Sequence, residues 1–159
     1  TPYADALRSY VDELRLIHAR RVRKEQPRLV DDEGFPGLTA LADAVLAFET
    51  EARSLDEALN ALSRHDDAPA ERLEALNAVL ARVERAFLLP DGLPGRPWFR
   101  HAVYAPGLTT GYACWPLPGV REAVEQRKPG LLETTTPAAT QAIERATAAL
   151  REAAAAAHP

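Results

Sequence analysis

The chain has 159 residues, a formal net charge of -4, 47% hydrophobic residues and 26% charged residues. A chain of this length fits one domain with a substantial hydrophobic core. Its acidic balance gives no electrostatic footprint for nucleic acid, and no apolar run approaches the roughly 18–20 residues that cross a bilayer. The single cysteine, Cys114, excludes an intrachain disulfide. We therefore expect a single domain over residues 1–159 that binds neither nucleic acid nor membrane.

The first half of the chain is predicted to form three helices. Apolar residues recur every three or four positions over residues 3–25, 38–62 and about 69–87, with Asp67 as a candidate N-cap of the third segment. The apolar positions of the second segment are Leu38, Leu41, Val45, Phe48, Ala52, Leu55, Leu59 and Leu62. Such long apolar stripes need partner helices, so the pattern predicts a helical bundle.

The helical pattern stops over residues 88–118. Between residues 89 and 118 lie six of the 13 prolines, four of the eight glycines, both tryptophans and two of the four tyrosines. Disordered segments are poor in aromatic residues, so we predict a long ordered loop. The side chains expected to anchor it on the bundle are Trp98, Phe99, His101, Tyr104 and Trp115.

The remainder of the chain is predicted to be helical again. A short helix is expected over residues 119–128, broken by Pro129 and Gly130, and the last long helix is expected to begin with Thr136 as N-cap and Pro137 in the first turn. No segment alternates strongly enough for a sheet strand, although residues 101–105 could pair locally. The predicted fold class is all-α: a four-helix bundle with the loop inserted before the short helix and the last long helix.

Catalytic motifs are missing from the sequence. No histidine has a second histidine four residues on, and there is no HExxH, CxxC, GxSxG or glycine-rich phosphate loop. His101 and Cys114 could form a nucleophile pair, but a lone cysteine between Ala113 and Trp115 is more typical of a small buried apolar residue. The better candidate for a ligand contact is Tyr112 beside Gly111, where a phenol and a bare backbone could both face a ligand.

Residues 84–120 carry a family resemblance. They contain ERAF (84–87), the turn GLPGRPWFRH (92–101), VYAP (103–106), the GY pair (111–112) and a PG that opens the next helix (118–119). This series resembles the C-terminal domain of glutamate carboxypeptidase II and the transferrin receptor, usually called the transferrin receptor-like dimerisation domain. The resemblance extends over essentially the whole chain and implies a four-helix bundle that carries the long loop.

The resemblance also implies partners and a binding role. In the peptidase members the domain is the third of three, packs against a zinc-dependent peptidase domain and makes much of the homodimer interface. Its loop reaches the substrate pocket, where a lysine–tyrosine pair contacts the carboxylates of a C-terminal glutamate. Tyr112 matches that tyrosine, but Gly111 stands at the lysine position. The missing cation removes a charge-assisted contact of about 1.5–3 kcal/mol, so a preference for acidic C-terminal residues is not expected to be retained in full.

Three hypotheses follow for the function of the chain. The first is a non-catalytic homodimerisation and assembly module of a zinc carboxypeptidase-like protein, with zinc held by the preceding peptidase domain and no cofactor in this chain. The second adds a substrate contact from Tyr112, in a parent that is either a peptidase or a receptor without activity. The third is a free-standing helical adaptor with no peptidase partner domain. Because the chain begins at Thr1 and contains no methionine, we expect a piece of a larger multidomain protein.

Overall fold

The computed structural model describes residues 2–25, 36–64, 69–108, 111 and 113–157, with the backbone alone for residues 21–25 and 36. The elements run in the order α1 (Pro2–Glu25), α2 (Pro36–Leu62), α3 (Ala70–Ala86), β1 (Tyr104–Pro106), β2 (Cys114–Pro116), α4 (Pro118–Glu125) and α5 (Pro129–Ala157). Four long helices form the bundle and the two short strands lie in the loop between α3 and α4. The predicted all-α fold class is confirmed.

Helix α5 is the centre of the bundle. It packs against α2, α3 and α4, while α1 packs mainly against α2. Its apolar face is built largely from alanines, and Ala142, Ala146 and Ala153 are fully buried. Because small side chains let helix axes approach closely, this face brings α2 and α3 against the same helix. The apolar stripe of α2 supplies the opposing large side chains, among them Leu41, Val45 and Phe48.

The last helix begins earlier than predicted. Pro129 and Gly130 open α5 instead of only ending α4, since proline suits the first turn of a helix and the carbonyl of Lys128 accepts hydrogen bonds from the next turn. Thr136 is therefore fully buried inside the helix and is not its N-cap, and Pro137 lies in the helix interior. Because proline has no amide to donate, α5 lacks one backbone hydrogen bond at Pro137 and forms nevertheless.

The other helix boundaries follow the sequence pattern closely. The third helix begins at Ala70, directly after Pro69, and the candidate N-cap Asp67 lies outside the described residues. The short helix α4 begins at Pro118 and ends at Glu125, three residues before the predicted end. Within the described ranges, no helix is both long enough and apolar enough to cross a bilayer.

Candidate functional site

The loop begins with a tight hairpin over residues 88–101. The amide of Leu89 donates to the carbonyl of Arg100 at 2.7 Å, and the amide of Leu93 donates to the carbonyl of Phe99 at 2.8 Å. The turn requires Gly92, which has a φ of +68° and whose missing Cβ would lie 2.2 Å from the carbonyl oxygen of Pro97. The GLPGRP turn therefore needs a glycine at position 92, because the backbone of Pro97 leaves no space for a side chain there.

An aromatic cluster joins the loop to three helices. Phe87, at the end of α3, is 1% exposed, and its ring centroid lies 5.7 Å from that of Phe48 in α2 and 6.2 Å from that of Tyr3 in α1. The ring of Tyr104 lies 5.6 Å from that of Tyr3, and the ring of His101 lies 5.4 Å from that of Phe87. Two of the five expected anchors, His101 and Tyr104, thus contact this cluster.

The imidazole of His101 holds the backbone of the loop. Its Nδ1 accepts the amides of Val103 at 3.2 Å and Tyr104 at 3.1 Å, which assigns the proton to Nε2. Nε2 lies 3.4 Å from a carboxylate oxygen of Glu84. The described contacts of His101 include no Cys114, so they give no support to a nucleophile pair. The expectation that Cys114 is buried was wrong. Cys114 is exposed at the start of β2, and burial increases along the strand through Trp115 to Pro116.

The remaining three expected anchors differ in burial. Trp115 is half-buried beneath the guanidinium of Arg121, whose Cζ lies 4.6 Å from the ring centroid. Phe99 is half-buried, and the Cζ of Arg96 lies 6.0 Å from its ring centroid. Trp98 is 71% exposed and its ring contacts that of Phe99, because residues 97–98 form a turn at the end of the hairpin. The structure therefore places Trp98 at the surface and not on the bundle.

The second part of the loop is an antiparallel ribbon. Tyr104 pairs with Pro116, Ala105 with Trp115 and Pro106 with Cys114, so the local pairing expected near residues 101–105 is present and begins at Tyr104. The connection between β1 and β2, residues 107–113, is called the tip here; it begins with the buried Gly107, and the next residue, Leu108, is 54% exposed.

The two predicted ligand-contact residues belong to this tip. Gly111 is exposed, and among the described residues no heavy atom lies within 4 Å of the place that a Cβ would occupy. Tyr112 lies outside the described residues, so the contact expected from its phenol stays a prediction.

A buried ion pair connects the hairpin to α4. Nη2 of Arg96 donates to Oε1 of Glu122 at 2.6 Å, and the residues are 3% and 5% exposed. The same Oε1 accepts the amide of Leu108 at 3.0 Å. Sequence reasoning missed this pair. The sequence offers little signal for it, because Glu122 is one of three charged residues in the eight-residue helix α4 and nothing local marks it as the buried one.

The two tyrosines of the aromatic cluster, Tyr3 and Tyr104, both have raised pKa values. Burial raises the pKa of Tyr3, with the nearby Tyr104 and Glu84 adding to the effect. Burial also raises the pKa of Tyr104, with Tyr10 and Cys114 adding to it. Within the described part of the chain, no group of three or more His, Cys, Asp or Glu side chains could hold a metal ion.

Comparisons with known proteins point to one family. The family model described as the transferrin receptor-like dimerisation domain matches residues 36–157. The probable glutamate carboxypeptidase AMP1 of Arabidopsis thaliana is 30% identical over 155 residues, which cover 94% of this chain and 20% of that protein. A probable glutamate carboxypeptidase of Arthroderma benhamiae is 33% identical over 93 residues, which cover 57% of this chain and 13% of that protein.

A third relative carries the name of a protein without activity. An inactive zinc metalloprotease of Schizosaccharomyces pombe is 49% identical over 41 residues, which cover 26% of this chain and 5% of that protein. In the Arabidopsis relative, which is matched over nearly the whole of this chain, the matched part is a fifth of the protein.

Proposed function

The chain belongs to the transferrin receptor-like dimerisation domain family, and we propose that it is the non-catalytic homodimerisation and assembly module of a glutamate carboxypeptidase II-like protein. The observation that carries the proposal is the family match over residues 36–157, which includes α2 to α5 and the whole loop. In this proposal the zinc ion and the catalytic residues belong to a preceding peptidase domain. The names of the relatives, two probable carboxypeptidases and one inactive metalloprotease, support a peptidase-like parent.

The surface of the loop supports a role in assembly. Trp98 and Leu108 are each more than half exposed, although both are large apolar side chains. Exposed apolar side chains of this size favour contact with a second protein surface. In the proposed assembly, the bundle makes the contact with a second copy and the loop faces the peptidase domain.

Sedimentation equilibrium and light scattering test the homodimer directly. We expect the chain to sediment as a reversible dimer with twice its monomer mass of 17.3 kDa. A matched variant, Trp98→Ala, should retain the dimer, because in the proposal Trp98 faces the peptidase domain. A chain that stays monomeric at its highest soluble concentration would overturn the homodimer proposal.

The second part of the proposal concerns the substrate pocket of the parent. We propose that the tip contributes Gly111 and Tyr112 to this pocket, with the phenol of Tyr112 contacting a substrate carboxylate. In the full-length protein, Tyr112→Phe should raise KM about two- to tenfold with kcat nearly unchanged, which is the mark of a lost hydrogen bond made equally to substrate and transition state.

A second variant tests the same pocket by adding a contact instead of removing one. Gly111→Lys introduces the cation of the family pattern at a position that has room for a side chain. In the full-length protein it should lower KM for peptides with an acidic C-terminal residue and leave KM for neutral peptides unchanged. Unchanged kinetics for both variants would remove the tip from the pocket.

A further inference from the structure

Arg96 and Glu122 form an ion pair in which both charged side chains are buried, which is uncommon in a small helical domain. Both side chains are removed from water, and a buried ion pair recovers only part of the desolvation free energy of its two charges. Nε and Nη1 of Arg96 are also buried and have no hydrogen-bond partner among the described residues. An unpartnered buried donor costs further free energy. Stability alone therefore gives a poor account of this pair.

The position of the pair gives a better account. Arg96 belongs to the hairpin, Glu122 belongs to α4, and Leu108 is the first exposed residue after β1. One carboxylate oxygen, Oε1 of Glu122, accepts hydrogen bonds from both Arg96 and the amide of Leu108. The hairpin, helix α4 and the start of the tip thus meet at one atom.

The pairing of β1 with β2 ends at Pro106 and Cys114, and Pro106 has no amide to donate. The amide of Leu108, just beyond the last strand pair, donates to the Glu122 carboxylate. Because this acceptor is charged, the hydrogen bond is well placed to fix the backbone at the start of the tip.

We propose that Arg96 and Glu122 are positioning residues for Leu108 at the start of the tip. Glu122 holds the amide of Leu108, and Arg96 orients the Glu122 carboxylate by occupying the same oxygen from the hairpin side. This inference rests on the proposed function, since it concerns the tip that is proposed to enter the substrate pocket of the parent.

Hydrogen exchange of backbone amides, followed by NMR on this chain, tests the local contact. Glu122→Gln keeps the size of the side chain but removes its charge, and we expect the protection of the Leu108 amide to fall roughly tenfold. Glu125→Gln is the matched control, because Glu125 lies on the same helix and pairs with Arg121 at 2.9 Å on the partly exposed surface. The control should leave Leu108 protection unchanged.

A double variant separates positioning from stability. Arg96→Met with Glu122→Leu replaces the pair by apolar side chains of similar size, so the melting temperature should change little while protection of Leu108 falls about 10- to 100-fold. It also serves where Glu122→Gln fails to fold. Retained protection of the Leu108 amide in the double variant would overturn the inference.

Kinetics of the full-length protein separate this inference from the proposed function. The double variant should raise KM about as much as Tyr112→Phe does, with kcat nearly unchanged. If Tyr112→Phe raises KM and the double variant does not, the positioning role is overturned and the proposed function stands. If Tyr112→Phe leaves KM unchanged, the pocket contribution fails, and the protection of the Leu108 amide alone decides the positioning role. A merely structural role would lower the melting temperature and leave the KM of the folded protein unaltered.

Discussion

The hairpin turn offers a pair of matched substitutions, Gly92→Ala and Gly95→Ala. Both glycines have left-handed backbone conformations, with φ of +68° and +74°. An alanine in this conformation costs about 1–2 kcal/mol at either position. Gly95 has no heavy atom within 4 Å of its would-be Cβ, so we expect Gly95→Ala to lower the free energy of unfolding by that amount and no more.

Gly92 differs from Gly95 because the backbone of Pro97 occupies the space that a Cβ would need. A Cβ at this position would lie 2.2 Å from the carbonyl oxygen and 2.7 Å from the Cα of Pro97, about an ångström inside normal contact distance. To make room, the hairpin must open, which threatens the hydrogen bond from Leu93 to Phe99 and the burial of the Leu93 side chain. These losses add about 2–3 kcal/mol to the conformational cost, so Gly92→Ala should destabilise the protein by about 3–5 kcal/mol.

Urea unfolding with two probes measures the difference. Far-ultraviolet circular dichroism follows the helices, and tryptophan fluorescence follows the loop, since Trp98 and Trp115 both lie there. We expect Gly95→Ala to shift both curves together by a small amount. Gly92→Ala should shift both curves much further, or unfold the loop signal before the helical signal. An unfolding free energy for Gly92→Ala equal to that of Gly95→Ala would refute the close-approach argument.

Two further stability predictions follow from buried and interior positions. The hydroxyl of Tyr3 is buried with no partner among the described residues, so Tyr3→Phe should raise the free energy of unfolding by about 1 kcal/mol in thermal or urea unfolding. Because burial raises the pKa of Tyr3 above the ordinary tyrosine value of about 10, the native state keeps a proton that the unfolded chain loses. Stability of the wild type should therefore fall as the pH rises above about 10, and Tyr3→Phe should make that fall shallower; an identical alkaline limb would argue against it. Pro137→Ala restores an amide inside α5 and should stabilise the protein by about 1–3 kcal/mol, whereas a loss of stability would show that the packing of α5 needs the proline.

Much of the fold could be predicted from the sequence because helical order is local. A helix joins each amide to the carbonyl four residues earlier, so the spacing of Leu38, Leu41 and Val45 is enough to predict both α2 and its buried face. The loop could be recognised by its prolines, glycines and aromatic residues in the same way. The start of α5 could not, because Thr136 and Pro137 carry strong helix-start signals that the packing of the earlier turn overrides.

The candidate site, too, has features that the local sequence predicts and contacts that it does not. Its composition, with a bare Gly111 and the turn glycines, can be read from the sequence, since each of these depends on one residue and its neighbours. The hydrogen bonds from Arg96 and Leu108 to Glu122 span 26 and 14 residues, and the ring of Tyr3 meets that of Tyr104 from the far end of the chain. Such contacts depend on how the whole intervening chain is routed, which no local pattern encodes. Local periodicity and composition are enough to predict the helices and an ordered loop, whereas the packing of the bundle selects which charges are buried and which group holds the amide of Leu108.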